Sequence, residues 1–529
     1  MSHATPADGQ GAALWLGFAN LAREPVPWLW ISLLVIMATI LRLLALNQQL
    51  WFDEIVTLLD SARAPIWQIV TQYGGQNQHM LYSVLAHGSI GIFGEQAWAL
   101  RLPAVFFGVA SIPALYFFGR LVTTNREALF ASALMTVNYQ HVWFSQNARG
   151  YTGMLFWTLM ASIFFVRCAS RGNTRDWAWY GLTSALGIYT HLMMACVVAG
   201  HAVVYLWLLA SRKGSGGPQP RSFLLPLCGF VLCGVLSLLL YAPVIPRVLA
   251  HTVGVARDPV NYEWASPLWA LAEMVRGLRT GTAGGLLAVA IGGLILLGGL
   301  LSYWRENRFT VGLMIFPGLV TAAALLATGH NFWPRFFFFE IGFVLLLVVR
   351  GAMVLGGLVS RMAGGSEKFG LQVGMAVVLL MLLASVVPLR AEYRYPKQDY
   401  LGAMRFLDKH QQPDDLIMTV GPVTTAYQRY YLRPWALVET RSQLDAALLS
   451  GHPIWLIYAM PNSIRASQPE VWNVIESNFT VVRAFPGTLG GGTIYVTKSK
   501  DNGETAALPD ETVAKEIQCV KHRLPLRST

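Results

Sequence analysis

The stretch "LWFDEIVTLLD" (Leu50–Asp60) sets two carboxylates, Asp53 and Glu54, side by side directly after an apolar run that opens at Trp28. Elsewhere the chain avoids charge. Of its 529 residues, 54% are hydrophobic and only 13% charged, about half the charged fraction of roughly 25% usual in soluble proteins. Mean hydropathy is +0.46, and apolar runs of about 20 residues recur, the length that crosses a bilayer core. The composition therefore predicts a polytopic membrane protein, with Asp53 and Glu54 where the first span ends.

Working outward, apolar runs fall near 28–46, 99–119, 128–145, 151–167, 177–192, 193–210, 223–243, 284–302, 309–327, 336–350 and 371–388, about eleven spans. The run from His79 to Gly94 is short and broken by Gly, and reads as a helix lying at the membrane surface. With the N-terminus inside, the inner loops hold Arg120 and Arg126, then Arg167, Arg171 and Arg175, then Arg212, Lys213 and Arg221. Further on they hold Arg305 and Arg308, then Arg350, Arg361 and Lys368. Every inner loop is basic, as positive-inside orientation requires. The same rule accounts for the net charge of +11. No soluble basic domain exists to bind nucleic acid, so none is expected.

The domain reading follows. Residues 1–27 form a cytoplasmic segment without the basic start and cleavage site of a signal peptide. Residues 28–388 form an all-α transmembrane domain, with interfacial helices in 53–98. From 389 to 497 the pattern changes to helices alternating with short strands ("DLIMTV", "HPIWLIYA", "FTVVRAF", "GGTIYVT"), a small α/β domain outside the membrane. Residues 498–529 read as a disordered tail, and "SRKGSGGPQPRS" (211–222) as a flexible inner linker. The five cysteines, Cys168, Cys196, Cys228, Cys233 and Cys519, are scattered without metal or disulfide spacing. Gly-rich runs near 284–299 suit close helix packing.

This topology gathers Asp53, Glu54, His79, Arg149, Tyr151, His191 and Arg335 at the outer ends of different helices. Ionisable residues at membrane depth are costly, which marks them as functional candidates. Each also has a plainer reading. Asp53 could cap the next helix, with Glu54 favouring its dipole. Arg149 and Tyr151 in "FSQNARGYT", and Arg335 in "GHNFWPRFFFF", could anchor at the headgroups, and His191 in "GIYTHLMM" could be a hydrogen-bonded structural histidine. No phosphate-loop, HExxH, GxSxG or dinucleotide motif is present, and "GTLGGGT" (487–493) is a turn between strands.

The order "WFDE", "NQHMLYSVLAHGSIGIFGEQAWALRLPAVFFGVASIPALYFFGRL", "FSQNARGY", "YTH", "PRFFFFEIGFVLLL" resembles the GT-C membrane glycosyltransferases. Within them it is similar to family 39, the protein O-mannosyltransferases and the lipid A aminoarabinose transferase. The likeness covers residues 28–350 and is most specific from Asn77 to Leu121. It implies a GT-C fold and a bacterial inner-membrane location with a periplasmic active site. It also implies an inverting transfer of one sugar from a polyprenyl phosphate to a hydroxyl of a lipid, glycan or protein. By position, Asp53 matches the family's essential aspartate, Glu54 its acidic neighbour, and Arg149 with Tyr151 a Ser-Gln-Glu-Ala-Arg-x-Tyr variant. His79 and Tyr82 fall in the place of a His-Pro-Pro-Leu-Tyr motif of which Leu81 and Tyr82 remain. His191 and Arg335 match weaker positions. Asn147 replaces the variant's Glu, which puts a second carboxylate there in doubt.

On that reading Asp53 is the base for the acceptor hydroxyl, and Glu54 orients the loop or touches the sugar. Arg149 takes the leaving phosphate with Arg335, His191 or His79 assisting. No cofactor is required. A divalent metal is not expected, although Glu54 with His79 could hold one. The loop 244–283, with Tyr262, Trp264 and Trp269, would cover the cavity or serve as an interfacial belt. A lipid-linked-sugar flippase, or a protein that only binds such a lipid, is the alternative.

Overall fold

The fold is that of a computed structural model, described for residues 25–75, 77–171, 174–212, 224–253, 266–269, 272 and 285–500. Residues 1–24, most of the 211–222 linker, Tyr262, Trp264 and the tail beyond 500 lie outside the described residues.

Seven helices are long and apolar enough to cross a membrane: Ala97–Val122, Tyr151–Ala169, Met194–Ser211, Leu225–Ala250, Arg308–Thr328, Pro334–Met362 and Glu367–Arg394. The other four expected spans are also helical, at Trp28–Leu43, Asn125–Val137, Thr174–Thr190 and Gly285–Glu306. One expected span, 128–145, is broken. Asn138 takes an extended backbone, its side chain accepts from the His141 N–H, and a new helix starts at Tyr139. Leu29, Ile36, Leu238, Leu294 and Leu383 point outward and exposed. Such a coat suits lipid and would be a liability in water.

Glycines set the closest helix contact, as the Gly-rich pattern suggested. A Cβ on Gly299 would strike the Leu347 carbonyl, and one on Gly351 the Ile295 carbonyl, so Gly285–Glu306 and Ile341–Met362 meet backbone to backbone. At the expected inner end, Arg350 pairs with Glu127 at 3.0 Å and also with Glu306, tying three helices together.

The 14-residue helix Met80–Phe93 is about 21 Å long, too short to span. Its seat is made by a proline. Pro103 removes the N–H that would bond the Ala99 carbonyl, and Ser89 Oγ donates there at 2.6 Å. Tyr82 donates to the adjacent Leu100 carbonyl at 2.7 Å. Tyr82, expected at the substrate site, is therefore a buried docking residue, 1% exposed. Its hydroxyl is spent on the helix it leans against.

Beyond Arg394 a five-stranded sheet forms from β1 (Leu416–Val420), β2 (Ala436–Val438), β3 (Ile454–Ala459), β4 (Phe479–Phe485) and β5 (Ile494–Ser499), in the order β2-β1-β3-β5-β4. β1 runs parallel to β2 and β3, and β5 antiparallel to β3 and β4. Tyr400, Tyr427, Trp435, Ile457 and Ile494 share one apolar cluster with Leu50, Ile55 and Leu58. The sheet domain thus sits directly on the segment that carries Asp53.

Candidate active site

The helix Phe52–Thr57 follows the first apolar helix, Trp28–Leu43, after the connection 44–51. Its first turn contains both acids, which leave the helix at different angles and do different things. Glu54 Oε2 reaches back to the Trp51 N–H at 3.2 Å, so the capping role considered for Asp53 belongs to Glu54. Arg101 holds the same carboxylate through Nε at 2.7 Å and Nη2 at 2.5 Å, and the Ala148 N–H adds a bond of 2.8 Å. Arg101 also donates to the carbonyls of Leu46, Gln48 and Gln49.

Burial alone would push the Glu54 carboxyl up. The charge and hydrogen bonds of Arg101, with Lys397 and the Ala148 N–H, outweigh it and hold the group below its ordinary value. Glu54 is fully buried. It ties the loops at 46–51 and 146–149 together with both oxygens engaged, which agrees with the loop-orienting role among those expected of it.

Asp53 faces the other way. Its Oδ2 lies 2.7 Å from Arg149 Nη1 and 3.7 Å from Arg335 Nη1, with the side chain 15% exposed. Arg149 is almost wholly buried. Its Nη1 also donates to Asn77 Oδ1, and its Nε and Nη2 approach His79 Nε2 at 3.2 and 2.9 Å. Asn77 in turn donates to the Asp53 carbonyl at 3.2 Å. Burial opposes the charge on Arg149, but Tyr151 and Asp53 raise its pKa above the usual value, so it stays a cation.

His79 differs from the cationic helper expected. Burial, then the charges of Arg149, His191 and Arg335, drive its pKa well below the ordinary imidazole value. It is neutral and accepts from Arg149. His191 packs edge-on to His79 with ring centroids 4.5 Å apart, and Tyr151 lies 5.4 Å from His79 and 5.1 Å from His191. Tyr151 also sits beneath the Arg149 guanidinium at 5.6 Å. These rings form the floor under Arg149. Gly150 permits the closeness, because a Cβ there would lie 2.7 Å from His79 Nδ1 and 2.9 Å from the Thr190 carbonyl.

Arg335 is the most open cation of the group, 34% exposed, and rests on Trp333 at 5.0 Å. Its Nε has no hydrogen-bond partner among the described residues. Trp269, from the expected covering loop, packs edge-on to Trp333 at 5.8 Å. A cavity of about 250 Å3 is lined by Asp60, Gln68, Gln72, Tyr73, Gln78 and Arg247 among others.

Seven expected residues thus meet as neighbours or partners in two adjoining clusters: Asp53, His79, Arg149, Tyr151, His191 and Arg335 in one, Glu54 in the other. Tyr82 stands apart. Asn77 and Arg101 were not expected. Arg101 carried a signal, a lone charge within the apolar run "AWALRLP". Asn77 carried a signal too, since "NQHMLY" is similar to a variant of the family motif with Asn and His before Leu. Among the described residues no group of three or more His, Cys, Asp or Glu could hold a metal ion, and the Glu54–His79 pair is spent on Arg101 and Arg149.

Residues 78–247 match the dolichyl-phosphate-mannose-protein mannosyltransferase family. The resemblance drawn from the sequence is borne out over this stretch, which begins one residue after Asn77 and includes His79, Arg149, Tyr151 and His191. No curated protein matches the chain. Among solved structures, ArnT from Cupriavidus metallidurans in the apo state is 12% identical, over 89% of this chain and 97% of that one, with a TM-score of 0.48. The oligosaccharyltransferase AglB from Archaeoglobus fulgidus, in complex with an inhibitory peptide and a dolichol-phosphate, is 12% identical over 90% of this chain and 75% of that one, at 0.49. The arabinofuranosyltransferase AftD from Mycobacteria is 16% identical over 89% of this chain and 41% of that one, at 0.40.

Proposed function

We propose that the chain is an inverting glycosyltransferase that moves one sugar from a polyprenyl phosphate to a hydroxyl of a lipid, glycan or protein at the outer face of a bacterial inner membrane. The observation that carries this reading is Asp53 set against Arg149 and Arg335 where the apolar helices end. The family match over residues 78–247 supports it. A lipid-anchored donor brings its phosphate to the headgroup level, the depth of these residues.

In the proposed step the acceptor oxygen attacks the anomeric carbon as the bond from that carbon to the phosphate oxygen breaks. The hydroxyl proton passes to Asp53, and the electron pair leaves with the phosphate. Arg335, the more open of the two cations at 34% exposed, and Arg149 take up the charge gathering on the phosphate, the electrostatic contribution that dominates many such reactions. Arg149 stays in register because His79 holds its Nε and Nη2 while Asn77 shares Nη1 with Asp53. The cavity walled by Gln68, Gln72 and Gln78 is the place proposed for the polar sugar. The cations serve the leaving group, so the reading needs no divalent ion, and chelation should leave the rate unchanged.

Purified protein given a polyprenyl-phosphate sugar and envelope lipids or glycans tests the proposal. Formation of glycosylated acceptor with release of polyprenyl phosphate supports it. Lipid movement between leaflets, or binding without transfer, would instead support a flippase or a passive binder. Comparing envelope lipids and glycans by mass spectrometry with and without the protein identifies the acceptor.

A further inference from the structure

Besides the apolar packing on Leu50, Ile55 and Leu58, the sheet domain bonds to the loops of the site through one short segment, Lys397–Gln398–Asp399, just past the last long apolar helix. Each of the three side chains binds a loop of the site. Lys397 Nζ donates to the Gln146 carbonyl at 2.8 Å, lies over the Trp143 ring at 5.1 Å, and is 3.6 Å from Glu392. Gln398 Oε1 accepts from the Phe52 N–H at 2.9 Å, the residue before Asp53. Asp399 Oδ1 accepts from Gln49 Nε2 at 2.7 Å, while Gln49 Oε1 accepts from the Leu401 N–H at 2.8 Å.

The segment is itself held by the sheet. The Thr488 and Leu489 N–H groups donate to the carbonyls of Pro396 and Lys397 at 2.9 and 3.1 Å. Thr488 Oγ1 also accepts from Trp143 Nε1 at 3.2 Å. Gly487 lies against the Lys397 carbonyl so closely that any Cβ would collide with it. This is the "GTLGGGT" turn between β4 and β5, and its glycine is required by contact rather than by φ.

We propose that Lys397 and Gln398 are positioning residues through which the sheet domain sets the distance between Asp53 and Arg149. The inference rests on the glycosyltransferase reading for its rate consequence. Two features separate positioning from plain adhesion. The bonds fall on main-chain groups one residue before Asp53 and three before Arg149, joining the two loops whose side chains meet. Gln398 is also fully buried with its Nε2 unpartnered among the described residues. Leaving Nε2 unpaired costs stability, while Oε1 accepts from both the Phe52 N–H and the Tyr400 hydroxyl, the latter at 3.0 Å, so the side chain is set to hold Phe52 rather than to fill space.

The test uses full-length protein carrying Lys397→Met, Lys397→Arg, Gln398→Leu or Gln398→Glu, with steady-state kinetics and amide hydrogen exchange. Lys397→Met and Gln398→Leu should lower kcat at least about tenfold while the donor KM changes little. They should speed exchange at residues 52–57 and 146–150 but not in β3. Lys397→Arg and Gln398→Glu keep the donor or the acceptor and should restore most of both. Unchanged kcat and exchange would overturn the proposal. So would faster exchange throughout the chain with kcat falling in step with melting temperature, which is the signature of adhesion. If the wild-type protein transfers no sugar, the functional reading fails, yet local exchange at 52–57 and 146–150 still decides whether the segment positions those loops.

Discussion

Glu54 and Arg101 form a two-bonded ion pair, at 2.7 and 2.5 Å, with both side chains almost fully buried. Removing either partner strands a charge away from water. Glu54→Ala and Arg101→Met should each destabilise the protein by about 3–5 kcal/mol, and the double substitution by clearly less than the sum. Thermal unfolding in detergent measures this. Asp53→Asn, at a partly exposed side chain, should move the melting temperature far less.

Acid stability should fall in two windows. The folded pKa of His79 lies well below its ordinary 6.5. Its contribution is therefore complete above about pH 6.5 and is lost as pH falls toward the folded value, with a slope of at most about 1.4 kcal/mol per pH unit. Glu54, also depressed, adds a second loss below its ordinary 4.5. His79→Gln should lower the slope in the first window, which His191, also depressed, to about 3, shares, and leave the second. An unaltered slope between pH 6.5 and 5 would contradict a buried neutral His79.

Gly150→Ala puts a methyl group where His79 Nδ1 and the Thr190 carbonyl stand. The 146–150 turn must shift, moving Arg149 relative to Asp53. A displacement of about 1 Å suffices for a large rate loss, so transfer should fall at least about tenfold while the fold persists. Kinetics and circular dichroism together check this.

Arg149→Lys should not rescue Arg149→Ala. One ammonium cannot bond Asp53, Asn77 and His79 together as the guanidinium does. Both variants should bind a polyprenyl phosphate at least about tenfold more weakly, about 1.4 kcal/mol, by isothermal titration. Undiminished affinity would remove Arg149 from the phosphate site.

Much of this arrangement was legible because membrane sequence is constrained along one axis. Hydropathy placed the helices, and basic loops placed Asp53, His79, Arg149, His191 and Arg335 at one end. What periodicity cannot carry is which way neighbours point. That the two acids do separate jobs was legible, but that Glu54 holds the loop took Arg101, 47 residues away, and Tyr82 looked like part of a site motif until Pro103 opened a carbonyl beside it. Asn138 hid a helix break inside an apolar run. β2, only three residues long, left no alternation to read. Lys397 and Gln398 lie 251 and 346 residues from their partners, beyond any local pattern.

The central claim is that Asp53 takes the acceptor's proton beside a phosphate held by Arg149. Measuring donor affinity and single-turnover transfer on Asp53→Asn in the same preparation tests it most directly. The account predicts a donor Kd close to that of the unaltered protein and a transfer rate lower by at least about a hundredfold. Transfer at the unaltered rate by protein lacking this carboxylate would contradict it.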